Sequence, residues 1–363
     1  MLKAFVHRFA SLVLCLALVC TVPSYTKAEE KIWHRYSAVI YDVFDTVVTL
    51  IGYSESQDVF AEAFTEVNNL FVEYHRLFDA YHTYDGIENL CSINQKAGTQ
   101  PVRVDQRLFD FLRWCLKEEQ TFGTDQVNVA MGSVLQLWHS YREEGIADPS
   151  SAKLPPMDHL KEASEHISIQ NVILDEDNLT VFFTDPALQL DFGAVAKGYT
   201  AQVAADYLTA SAMPSFILNA GGNVCAGAPK ADSGAKWGIG IQDPDGGITG
   251  NDLFDTIFAV NRSVVTSGDY QRFYMVDGIR YAHLISPVTL MPADQFRAVT
   301  IVAEDSALCD FLSTCLFIAD YETGRRLVES LQGVEALWIL PDRSVRYTDG
   351  MSAYLKSAGA ASQ

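Results

Sequence analysis

Between Trp237 and Ile285 the chain passes through a succession of short strand-like runs: Trp237–Ile241, Ile257–Val260, Val264–Thr266, Phe273–Val276 and Tyr281–Ile285. This succession restricts the fold more than any other feature. Strands that follow one another directly pair as antiparallel hairpins, because a parallel pair needs a crossover of roughly a dozen residues or more. Helical patterns lie between groups of strands rather than after each one. The expected class is therefore α+β, mainly antiparallel sheets with packed helices, and not a doubly wound parallel sheet. With 363 residues, 48% of them hydrophobic, the chain can bury a substantial core as one large domain or two closely packed ones.

Upstream, Val39–Val43 and Val47–Ile51 read as strands. From Ser56 to Phe78, the residues Phe60, Phe64, Val67, Phe71, Tyr74 and Phe78 recur every three or four positions. That spacing predicts a long amphipathic helix. Asp105 is placed to cap a second helix reaching Gln120, with Leu108, Phe109, Leu112 and Leu116 inward. Three prolines within 149–156 end this helical region. Ile169–Leu174 and Leu179–Phe183 flank an acidic turn and read as a hairpin. Helices are expected over Ala196–Leu208, Ser306–Ile318 and Thr323–Gln332, with strands at Phe216–Leu218 and Ala336–Leu340.

The first residues read as a targeting segment. Lys3, His7 and Arg8 precede an apolar run from Phe9 to Val22, and small residues follow up to Ala28. The run is too short for a comfortable span, and the order is that of a secretory signal cleaved after Ala28, or retained as an anchor. The domain proper is then 29–363, exported to the periplasm or to the extracytoplasmic face of the inner membrane. Removing 1–28 takes away three basic side chains and no acid, so the formal charge goes from −20 to −23. Such a chain repels phosphate backbones, which excludes nucleic acid as a partner and demands a cation wherever a phosphate ligand binds. Cys91, Cys115, Cys225, Cys309 and Cys315 remain, an odd number without metal-ligand spacing, so buried free thiols are expected.

Three segments carry candidate chemistry. DFGAVAKGY (191–199) joins a strand to a helix; its small residues allow close backbone approach, and the helix start offers N–H groups to an anion. NAGGN (219–223) puts paired glycines directly after a strand, suiting a turn or a backbone cradle. Asp310 and Thr314 lie four apart on a predicted helix, hence on one face, and an oxygen pair of this kind suits Mg²⁺. The dinucleotide fingerprint GxGxxG is absent. Each segment alone also has a plain structural reading, as a turn, a cap or a solvated pair.

Taken in order, these segments resemble the ApbE family of FAD:protein FMN transferases. The resemblance begins at Phe44-Asp45-Thr46-Val47-Val48-Thr49-Leu50 and continues through Phe78-Asp79-Ala80-Tyr81 to Ile93-Asn94, then Asn128–Gly132 to Leu137-Trp138. DFGAVAKGY, NAGGN, TSGDYQRF (266–273), HLISP (283–287) and Asp310…Thr314 follow. The family's T-fold-related architecture is the implied fold. By resemblance, the carbonyl of Ala194, the carboxylate of Asp310 and the hydroxyl of Thr314 would hold Mg²⁺. Phe44, Tyr81, Asn128, Asp191, Lys197, Gly221, Gly222 and His283 would contact FAD, the substrate, with Ser267 and Gly268 shaping the same pocket. One departure stands out. The family commonly reads His-x-x-(Asp or Asn)-Pro-(Arg or Lys)-Thr-Gly, whereas this chain has His283-Leu284-Ile285-Ser286-Pro287-Val288-Thr289-Leu290.

The implied reaction is attack by a Ser or Thr hydroxyl on the FMN-side phosphorus of FAD, with departure of AMP. His283 is the first candidate base and Asp269 the second. The implied partner is an exported acceptor, a redox-complex subunit or flavin reductase carrying a Ser/Thr motif. Two alternatives share the residues: a Mg²⁺-dependent FAD pyrophosphatase and a non-catalytic FAD-binding protein.

Overall fold

In the computed structural model, which describes residues 31–123, 125–246 and 252–363, the chain builds its sheets from hairpins. β1 (His34–Val43) and β2 (Thr46–Ser54) lead into α1 (Gln57–Phe78), α2 (Leu90–Gln95), β3 (Val102–Arg103), α3 (Gln106–Phe122), α4 (Gly132–Ala147) and α5 (Met157–Ser164). Next come β4 (Val172–Asp175), β5 (Thr180–Phe183), α6 (Ala196–Ala210), β6 (Phe216–Ala220), β7 (Asn223–Ala226), β8 (Trp237–Gln242) and β9 (Leu253–Ala259). The chain continues through β10 (Arg262–Gly268), β11 (Phe273–Val276), β12 (Ile279–Ala282), β13 (Ala298–Ala303), α7 (Ser306–Ile318), α8 (Tyr321–Glu329), β14 (Glu335–Ile339) and β15 (Val345–Tyr347).

Eight strands form one sheet in the order β1-β2-β6-β7-β10-β13-β14-β15, and every neighbouring pair is antiparallel. The α+β expectation holds. Period-two alternation sends Val265, Val299, Ile301 and Trp338 to the face covered by helices. Val264, Ala298, Val302 and Leu337 go to the opposite face, where the β8–β9 hairpin packs with Trp237, Ile239 and Ile257. β13, Ala-Val-Thr-Ile-Val-Ala, is buried at every position because both its faces are covered. For that reason it lacks the alternation by which a half-buried strand is read.

Caps fix the helix starts. The Ser56 hydroxyl accepts from Val59 N at 3.4 Å, opening α1, and the Asp105 carboxylate accepts from Arg107 N at 2.9 Å, opening α3. α6 and α7 cross in close contact at Gly198. A Cβ there would lie 2.3 Å from Asp310 Cβ and 2.5 Å from the Ser306 carbonyl oxygen. Gly198→Ala is expected to cost roughly 1–3 kcal/mol by overpacking. Urea unfolding would measure it, and an unchanged midpoint would disprove the tight crossing.

The expected runs differ from the structure at their edges. Ile169–Asn171 forms a 3₁₀ turn before β4, and the strand expected over Tyr281–Ile285 ends at Ala282. The five cysteines from Cys91 onward are free and buried, as expected. Trp33–Gln363 forms one compact unit. The expected cleavage point after Ala28 lies outside the described residues. Among the described residues, no helix is long and apolar enough to cross a membrane.

Candidate active site

A cavity of about 800 Å³ opens where the β1–β2 turn, the C-terminal end of α1, the N-terminus of α6, the β6–β7 turn and α7 converge. Its lining includes Phe44, Tyr81, Asn128, Asp191, Ala194, Lys197, Gly221, Ser267, Gly268, His283, Asp310 and Thr314. The folded chain thus brings together nearly every residue singled out from the sequence. Gly222 lines an adjoining chamber of about 520 Å³ instead.

The exception is Asp269. It lines neither chamber, and its carboxylate sits between Arg297 Nε at 2.8 Å and Arg280 Nη1 at 3.4 Å. Two guanidinium groups occupy the oxygens a base would need free, so the expectation that Asp269 serves as a second base is corrected.

The glycine pair makes the first wall. Gly221 and Gly222 form the two-residue turn between β6 and β7, with φ of 60° and 97°, which side chains rarely tolerate. The turn presses on the β1–β2 turn, where a Cβ on Gly221 would come 2.2 Å from Thr46 Oγ1. Arg272 ties this wall to the far strands by donating from Nη2 to the carbonyl oxygens of Phe44 and Asp45 at 3.2 and 3.3 Å. Phe44 is held edge-on against Phe71 and His75.

Asp310 lies at the crossing of α6 and α7 and is only 4% exposed. Its Oδ2 accepts from Gly198 N at 2.8 Å and lies 3.9 Å from Lys197 Nζ. The start of α6 was expected to present N–H groups to an outside anion. Gly198 instead spends its N–H on Asp310, so the helix's positive end steadies the protein's own carboxylate. Thr314, one turn along α7, takes no hydrogen bond through its hydroxyl from the described residues, and it faces the same cavity as Ala194. A buried carboxylate, a free hydroxyl and a nearby loop carbonyl are all oxygen donors, a set that fits a hard divalent cation such as Mg²⁺. Among the described residues no cluster of three or more His, Cys, Asp or Glu side chains could hold a metal, so any cation here relies on this mixed set and on ligand oxygens.

His283 Nδ1 lies 3.1 Å from the Arg272 carbonyl oxygen. A carbonyl only accepts, so Nδ1 carries the proton and Nε2 keeps its lone pair. Burial, then the charges of Arg272, Lys197 and Arg142, push the imidazole pKa down to about 3. The ring is therefore neutral across the physiological range. Asp191 is shifted the other way: burial raises its carboxyl above the ordinary range, although Gly193 N donates to Oδ1 at 2.8 Å.

Asn128 is committed more to the wall than to the cavity. Its Nδ2 donates to the Ile167 carbonyl at 2.9 Å and its Oδ1 accepts from Ala130 N at 2.8 Å. Tyr81 lies across His139, with ring centroids 4.7 Å apart. Behind it Asp79 collects hydrogen bonds. Burial opposes its charge, but donation from Tyr81 N, the Tyr84 hydroxyl and His82 N holds its pKa below the usual value.

Arg142, Gln271, Arg272 and Asn223 also line the cavity and were not singled out as site residues. Asn223 is the clearest omission. It is 2% exposed, and its Nδ2 has no partner, a costly arrangement for a buried donor. The signal for it in the sequence is its place as last residue of the NAGGN run. The unusual segment after Pro287 stays clear of the cavity. Val288 and Thr289 face solvent, and Leu290 is buried, its carbonyl oxygen accepting from Trp138 Nε1 at 2.9 Å.

The sequence profile described as the ApbE family matches residues 44–338. A FAD:protein FMN transferase of Treponema pallidum (strain Nichols) is 35% identical over 276 residues, 72% of this chain and 73% of the relative. Another, from Klebsiella pneumoniae (strain 342), is 30% identical over 254 residues, 70% of this chain and 75% of the relative. The crystal structure of the ApbE protein from Thermotoga maritima superimposes with a TM-score of 0.75 at 26% identity, over 88% of this chain and 99% of that one. The flavin transferase ApbE from Vibrio cholerae gives 0.71 at 21% identity, over 89% of this chain and 100% of that one, and shares the fold. With a profile match that runs from the first hairpin of the sheet to its penultimate strand, and relatives this similar over more than two thirds of its length, the chain belongs to the ApbE family.

Proposed function

We propose that this protein is a FAD:protein FMN transferase that moves FMN from FAD onto a Ser or Thr hydroxyl of an exported acceptor and releases AMP. The observation that carries this reading is the meeting of Asp310, Thr314, Lys197 and His283 on one cavity large enough for a dinucleotide. Its volume falls within the range of roughly 300–1,000 Å³ usual for small-molecule sites.

The chemistry follows from the residues. Asp310, Thr314 and the Ala194 carbonyl would hold Mg²⁺, whose charge offsets the diphosphate and eases displacement at phosphorus. Lys197 would stand over the phosphate oxygens as a second positive charge. Tyr81, Phe44 and Trp138 give flat surfaces for the ring systems. His283 would take the hydroxyl proton at Nε2, while the Arg272 carbonyl steadies the imidazolium through Nδ1. The new bond joins the hydroxyl oxygen to the FMN-side phosphorus. The bond to the AMP phosphate breaks, and AMP leaves with the bridging oxygen and its electron pair. The basic, apolar and small-residue order of residues 1–28 supports export, with the acceptor met on the extracytoplasmic side.

The altered segment after Pro287 favours an active enzyme over a passive binder, since its changed side chains do not line the cavity. The deciding experiment incubates the protein with FAD, Mg²⁺ and a pool of Ser/Thr peptides. A peptide gaining one FMN, with one AMP released, supports transfer. AMP release without labelled peptide points to a pyrophosphatase, and FAD binding without AMP points to a binding protein.

A further inference from the structure

Tyr81 stands in the segment 79–89 between α1 and α2, outside any helix or strand, and it is half-exposed where it lines the larger cavity. Its main chain is pinned, since Tyr81 N donates to Asp79 Oδ1 at 2.7 Å. That bond leaves the ring free to turn about its side-chain torsions. What meets the ring is His139 of α4, with centroids 4.7 Å apart and planes 34° from parallel.

His139 is itself held. Arg142 follows three residues later on α4, hence on the same face, and its Nη2 lies 2.8 Å from His139 Nδ1. A guanidinium only donates, so Nδ1 accepts and Nε2 carries the ring proton. The contact of Arg142 with the exposed Glu143 is long, at 3.5 Å, and contributes little. The short bond to His139 is therefore its main engagement among the described residues. α4 is fastened beside His139, where Trp138 Nε1 donates to the Leu290 carbonyl at 2.9 Å. A chain of contacts thus runs from the anchored helix through Arg142 and His139 to the Tyr81 ring.

We propose that His139 and Arg142 are positioning residues, which lock the Tyr81 ring in one orientation as the stacking plate for a flat ring of the bound dinucleotide. This inference rests on FAD being the ligand, as in the transferase reading above. Burial, then the charge of Asp191, raise the pKa of the Tyr81 phenol, with Arg142 opposing, so the plate presents an uncharged face. A ring that is already in place stacks more tightly, because the ligand need not immobilise a mobile side chain. His139 and Arg142 also line the cavity, so direct contact with the ligand is the competing account.

The test measures the affinity of the full-length protein for FAD, FMN and AMP, with Mg²⁺ and without any acceptor. His139→Leu is expected to weaken FAD binding about three- to tenfold, with the thermal midpoint of the ligand-free protein unchanged. The loss falls on FMN if the plate carries the isoalloxazine, and on AMP if it carries the adenine. A loss shared equally by both overturns the plate. Arg142→Leu is expected to match His139→Leu, and the double variant to lose no more than either alone. In a Tyr81→Ala background, His139→Leu is expected to add nothing. An equal loss in that background overturns the inference, because His139 would then act on the ligand directly. Wild-type affinity in a well-folded His139→Leu overturns it as well. Failure to label any peptide brings down the transferase reading alone, whereas a wild-type protein with no measurable FAD affinity brings down both.

Discussion

Asp310→Asn is expected to lower FMN transfer by roughly a hundredfold to a thousandfold while leaving the fold intact, the loss typical of removing one centre of electrostatic stabilisation from a closed site. The substitution isolates charge from shape. An asparagine oxygen still accepts from Gly198 N, so the crossing of α6 and α7 keeps its hydrogen bond. What disappears is the negative charge 3.9 Å from Lys197 Nζ within the cavity wall, and with it the proposed anchor for a cation. Measured by single-turnover AMP release across a Mg²⁺ titration, the variant should need far more metal and stay slow at saturation. A rate within tenfold of wild type at saturating Mg²⁺ would remove Asp310 from the metal site. An unfolding midpoint close to wild type shows that the loss is chemical.

Much of this site was legible before the structure because its residue types are demanded by backbone geometry. Two consecutive glycines after an apolar run are needed where β6 turns into β7 with both φ values positive, and a glycine at 198 is needed where two helices touch. The i, i+4 spacing of Asp310 and Thr314 likewise placed both on one face of α7. Residues whose role depends on partners far along the chain were harder to see. Asp269 reads as an acid within a site-forming segment, yet Arg297 and Arg280, 28 and 11 residues away, claim it. Asn223 reads as the end of a turn, and only its burial without a partner marks it. The fold shows the same division. α1 declared itself by its periodicity and α3 by its Asp105 cap, whereas β13 did not, because a strand covered on both faces has no polar side to reveal its period.

Glu119 provides a pH-dependent counterpart to the Asp310 prediction. It lies on α3, is 2% exposed, and accepts from Val129 N through Oε1, while its Oε2 has no partner. Through Val129, whose carbonyl accepts from Asp191 N at 2.8 Å, it supports the wall that carries Asn128 and Asp191. Burial raises its pKa to about 8, the Val129 hydrogen bond opposing only in part. The sign follows from proton counts. Above the ordinary carboxyl value the unfolded chain releases this proton, while the native protein keeps it. Glu119 therefore subtracts from stability as pH rises, progressively from about 4.5 until the native group itself ionises near 8. At about 1.4 kcal/mol per unit, the stability lost between pH 5 and 7 is roughly 2–3 kcal/mol. Glu119→Gln keeps an oxygen for Val129 N and cannot ionise. Its stability relative to wild type should rise by that amount from pH 5 to pH 7, read from urea unfolding at each pH. Comparing the two proteins at each pH cancels the contributions of carboxylates shifted downward, such as Asp79 and Asp105. Parallel pH profiles for the two proteins would mean that Glu119 is ionised in the native state, and that the α3 support of the cavity wall is an ionic contact rather than a neutral one.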